Sequence, residues 1–194
     1  MLNAHLISRM QDDATERWHR RESLASEDDS LLQLARAQHR ANYDLWHEED
    51  DARCPDAPDQ RIVDVKHSID RINQQRNDLV EQIDQLLLQE AGPQNDEAPM
   101  HSETPGLIVD RLSILALKIY HTDEQAHRTS ATPEHRAGNL ERLHILEQQR
   151  ADLAECLDEL WHEVISGRRR FRLYRQLKMY NDPELNPAIY EHKH

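Results

Sequence analysis

Apolar residues recur at spacings of three and four along most of the chain, the mark of helices that bury one face. The clearest series is Ile62, Val65, Ile69, Ile72, Leu79, Ile83 and Leu86, with Arg76 standing where an apolar residue is due. It predicts a helix from about Asp59 to Gln89. A second series, Leu143, Leu146, Leu153, Leu157, Leu160 and Val164, is interrupted in the same way by Arg150. Its helix opens at Thr132-Pro133, a side-chain cap followed by proline in the first turn, and stops at Gly167. Thr104-Pro105 starts a third helix that runs to about Gln125. That helix is apolar on most sides, from Leu107 and Ile108 to Leu117 and Ile119, and is expected to be the most buried. Leu31, Leu34, Ala41 and Leu45 give a fourth, from about Asp28 to Asp51. Residues 1–25 add a short helix around Trp18.

The composition agrees with helices alone. Gly numbers 4 of 194 residues, and Val, Ile and Thr together number 21, too few turn and β-branched residues for sheets. No apolar run approaches the roughly 20 residues of a membrane span. Two cysteines without a CxxC pattern, and an N-terminus with Arg9, Asp12 and Asp13 but no apolar stretch, point to a reducing, cytoplasmic setting.

The chain also matches itself. At an offset of 74, Gln74–Leu86 lies over Gln148–Leu160 with 8 identities in 13 positions, Arg76 over Arg150 among them. The same offset places Leu45-Trp46-His47 over Ile119-Tyr120-His121. Polar matches of this kind are not expected from two unrelated amphipathic helices, and they indicate a tandem duplication. The expectation is an all-α, single-domain four-helix bundle of two related hairpins, about 28–90 and 104–167. An acidic linker, 91–103, joins them, and a basic helix and tail follow over 168–194.

Charge refines this picture. The net charge is -13, which disfavours nucleic acid as a partner. Arg168–Tyr180 nevertheless carries six cations and no acid. That segment suits docking onto the acidic body of its own or a sister chain better than nucleic acid, and its Lys178 is a candidate ligand contact. Arg76 and Arg150 each need an anion or a route to solvent. Besides snorkelling to the surface, they admit two readings. One is a pair of buried ion pairs with Asn73, Glu147 or Asp110 as partners, Asp110 standing level with Arg150. The other is a symmetric site in which both guanidiniums hold a small anionic ligand, with Lys118 assisting. His47 and His121 either cap helix ends or transfer protons beside Asp110. Glu141-x-x-His144 and similar spacings are not at matched inward positions, so no metal ligand is assigned.

Four segments resemble one family. They are Asn42-x-x-Leu45-Trp46-His47-x-Glu49-Asp50-x-Ala52-Arg53, Ile69-Asp70-x-x-Asn73-Gln74-x-Arg76-Asn77-Asp78, Thr104-Pro105-Gly106 with Asp110–His121, and Tyr174-Arg175-Gln176-x-Lys178-Met179-Tyr180-Asn181-Asp182-Pro183. Together they resemble the bacterial helical family called domain of unknown function 4254. The resemblance implies an all-helical cytoplasmic protein with no established activity, and an association with surface-polysaccharide synthesis. Its motifs are polar-rich, which favours a ligand site. The leading expectation is a bundle that binds or acts on a nucleotide sugar or sugar phosphate. The alternative is a non-catalytic subunit that assembles with itself or a partner.

Overall fold

The computed structural model describes all residues except 1, 26, 56, 176–183, 188–190 and 192–194. Among the described residues there are five helices: α1 (Ala4–His19), α2 (Ser30–Asp51), α3 (Asp59–Ala91), α4 (Pro105–His127) and α5 (Pro133–Ile165). Their starts follow from side-chain caps. Asn3 accepts from the Leu6 amide, Asp29 from Leu31 and Leu32, Thr104 from Leu107 and Thr132 from His135. Helices α3 and α5 are each 33 residues long, and their ends are 74 residues apart. That is the offset at which the sequence repeats.

Both expected hairpins form, α2 against α3 and α4 against α5, but α4 organises the molecule. It touches each of the other four helices, whereas α3 and α5 make no extended contact among the described residues. Its many-sided apolar surface is the cause: Ile108, Val109, Leu112, Ala116 and Leu117 are all buried. Helix α1 is a full member of the core, packed on α2, α4 and α5, with Ile7 completely buried. Helices α3 and α4 cross closely at Gly106, where an added Cβ would meet the Val80 carbonyl oxygen at 2.7 Å.

The basic segment requires a correction. Residues 168–175 are not helical. Gly167, at φ 70°, ends α5, and the Arg168 amide returns to the Glu163 carbonyl at 2.9 Å. The chain then extends beside the 91–103 linker. Arg170 N–H donates to the Pro99 carbonyl, and His101 N–H donates to the Arg170 carbonyl. This brings Phe171 into the core, 1% exposed, with its backbone held on both sides by the Gln94 amide. Burying that ring is worth about 1.5–3 kcal/mol, which a solvent-facing helix would forgo. Residues 176–183, including Lys178, lie outside the described residues.

Candidate functional site

Six polar side chains run through the interface of α1, α2 and α4 in one continuous chain. The hydroxyl of Thr15 donates to the Gln11 carbonyl at 2.8 Å, so its oxygen accepts from His39 Nε2, also at 2.8 Å. His39 is therefore protonated on Nε2 and accepts at Nδ1 from Ser113 Oγ at 2.7 Å. Ser113 Oγ in turn accepts from Asn42 Nδ2, which also donates to Asp110 Oδ1, each at 2.9 Å. Gln38 donates to the same carboxylate oxygen. From Asn42 to Thr15 every donor points toward α1, while Asn42 also donates the other way, to Asp110. Burial pushes the fully enclosed His39 down to about 3, against the upward pull of the Gln11 backbone, so it stays neutral.

The chain ends on Arg76 of α3. Its Nε lies 3.2 Å from Asp110 Oδ1, an ion pair without hydrogen-bond alignment, and Nη1 lies 3.5 Å from Asn73 Oδ1. Burial raises the Asp110 carboxyl, and Arg76, Asn42 and Gln38 pull it back. Asp110 thus serves Arg76 and not Arg150. It faces α2 and α3, which is where its angle of about 200° from Ile108 around the helix carries it.

Two cavities open on either side of Arg76. One, of about 390 Å³, lies among α2, α3 and α4. Its floor is Leu45, Trp46, Ile114 and Leu117, and its polar groups are Asn42, Glu49, Asp50, Arg53 and Arg76. All nine lining residues are among those that carry the family resemblance, and they come from three separate segments. The second, of about 380 Å³, adds Asn73, Asn77, Thr104, Asp110 and Tyr174 from the same motifs, together with Glu81 and Asp84.

The remaining candidates are dispersed. Arg150 pairs with Asp12 of α1 and lines a groove with His5, Arg9 and Glu147. Lys118 is exposed and borders a third hollow with Arg111 and Asp152. The two arginines share a register in the repeat but not a cavity. His47 and His121 do meet, with ring centroids 6.1 Å apart, although not beside Asp110. Between them stands His19, the last residue of α1, at 5.3 and 5.1 Å. Tyr120 stacks on His19, and Trp46 stacks on His121. The three imidazoles can each offer a ring nitrogen, and these atoms lie within 4.8 Å of one another. His19 lies outside the repeated unit, so the offset could not reveal it. A visible signal was the aromatic-His pair, which occurs as Trp18-His19, Trp46-His47 and Tyr120-His121, and also as Trp161-His162, which is not part of the cluster.

Fold and cavity define an all-α protein with a motif-lined pocket between three helices. The model of the family described as "Protein of unknown function (DUF4254)" matches residues 32–173, and the chain belongs to that family. Searches of curated proteins and of solved structures returned no match.

Proposed function

We propose that this protein binds a small molecule with an anionic group and a flat or sugar-like face in the α2–α3–α4 cavity. A nucleotide sugar or sugar phosphate, as used in surface-polysaccharide synthesis, has this chemistry. The observation that carries the reading is the convergence of nine motif residues from three distant segments on one pocket. An apolar floor with a few placed polar groups is the usual form of a ligand site. Trp46 supplies a broad face, and Arg76 is the half-buried guanidinium whose donors Asp110 and Asn73 only partly engage.

Calorimetry with a panel of nucleotide sugars and sugar phosphates tests this. Wild type should bind one class, Arg76→Met should weaken it by roughly 10-fold or more, and Arg76→Lys should recover part. Arg150→Met, in a different groove, should leave it unchanged. Absence of binding by wild type, or equal binding by Arg76→Met, overturns the reading.

A second reading, assembly with another copy, has one observation in its favour. Leu140 and Ile145 on α5 are 49% and 56% exposed. Mass in solution decides it: an oligomer that becomes monomeric in Leu140→Glu/Ile145→Glu supports assembly through α5, and a wild-type monomer excludes it.

A further inference from the structure

We propose that His19, His47 and His121 form a binding site for a divalent transition metal of the zinc class, each ligating through Nε2. This inference does not depend on the ligand cavity.

Each imidazole has its Nδ1 already committed. His19 Nδ1 lies 2.8 Å from the Thr15 carbonyl oxygen, and His47 Nδ1 lies 2.8 Å from that of Tyr43. His121 Nδ1 lies 2.9 Å from Glu124 Oε2. Carbonyl and carboxylate oxygens can only accept, so all three Nδ1 atoms carry the proton. In its neutral form each ring then presents an Nε2 lone pair. This is how metal-binding histidines are usually held: the far nitrogen donates to a carbonyl or carboxylate, which fixes tautomer and orientation.

Two of the three Nε2 atoms also lack partners. Nε2 of His19 and of His121 is buried without a hydrogen bond. Leaving a buried acceptor unpaired is costly, and two in one cluster call for an explanation. Aromatic packing accounts for how the rings sit, with Tyr120 4.2 Å from His19 and Trp46 4.8 Å from His121 between centroids. It does not satisfy the nitrogens. A cation does.

The elements favour one as well. His19 closes α1, while His47 and His121 lie in the last two turns of α2 and α4. The C-terminal end of α1, with its partial negative charge, therefore lies at the cluster, while His47 and His121 stand more than a turn before the ends of their helices. A donor set of three imidazoles suits Zn²⁺, Co²⁺, Ni²⁺ or Cu²⁺ over Mg²⁺ or Ca²⁺, which prefer oxygen. Tetrahedral zinc holds its nitrogens about 3.4 Å apart, so side-chain adjustments of ~1 Å from the present spacing complete the site. Three protein ligands leave a fourth position for water or an anionic oxygen.

The test uses the full chain, stripped of metal with a chelator. Titration with Co²⁺ should give the visible bands of a tetrahedral ion at one equivalent, and Zn²⁺ should displace it. His19→Ala and His121→Ala should each weaken binding on the order of 100-fold, whereas His127→Ala, at an exposed position outside the cluster, should not. A measurement on wild type guards against a variant that fails to fold. Long-range ¹H–¹⁵N spectra should show three Nε2 signals, and no Nδ1, shifting on Zn²⁺ addition. No Co²⁺ bands with wild type, unchanged affinity in folded His19→Ala, or shifts at other histidines overturns the proposal.

Discussion

At the crossing of α3 and α4, Asp84 is a carboxylate in a nearly dry setting. It accepts the Gly106 amide at 2.6 Å and the Thr104 hydroxyl, and so fastens the start of α4 to α3. Burial outweighs both hydrogen bonds and lifts the carboxyl from 3.8 to about 6. The folded chain therefore holds this proton more tightly than the unfolded chain does. The stability that follows is fully present below pH ~4 and is lost as pH rises through about 6, on the order of 2–3 kcal/mol. Asp84→Asn keeps an acceptor for Gly106 and gives Thr104 a donor without the charge. It should be at least as stable as wild type at pH 8, with a flatter stability profile between pH 4 and 7 in urea unfolding. Equal losses at pH 5 and pH 8 would show that Asp84 does not change protonation in that range and that its carboxyl is not raised.

At the scale of elements, legibility in the sequence depended on whether a helix buries carbon or hydrogen bonds. The seams of α3 and α5 are apolar, and both helices begin within a residue or two of where those seams and caps place them. Helix α1 buries Ser8, Gln11 and Thr15 beside Ala4, Ile7 and Ala14, so its inward face has no apolar rhythm to read. Its length and central place were missed for that reason, and His19 with it. The repeat correctly pointed at Arg76 and Arg150 as inward interruptions, at 25% and 21% side-chain exposure. It could not show that one meets α4 and the other α1, because partner choice lies in tertiary packing. The tail misled in the opposite way. Six cations in thirteen residues resemble a helical surface, yet one buried ring, Phe171, and the glycine before it decide the path.

At the scale of the whole molecule, α1 joins the two hairpins more than it decorates them. The Ala4 amide donates to Asp158 of α5, and Asp12 holds Arg150. Gln11 donates to the Val109 carbonyl of α4, and Thr15 accepts from His39 of α2. Removing residues 1–20 would strip these partners from groups that are wholly or partly buried, at about 1–3 kcal/mol for each fully buried one. It would also expose the apolar surface now covered by Ile7, worth about 1.5–3 kcal/mol for a side chain of that size. Together these losses are comparable to the whole stability of an ordinary domain, about 5–15 kcal/mol. The chain from residue 21 onward should therefore lack a cooperative unfolding transition. Ile7→Ala in the full chain should remain folded but lose about 2–5 kcal/mol. Circular dichroism during urea unfolding measures both. A truncated chain that unfolds at the wild-type midpoint would mean that α2–α5 close a core by themselves and that α1 is only laid against it.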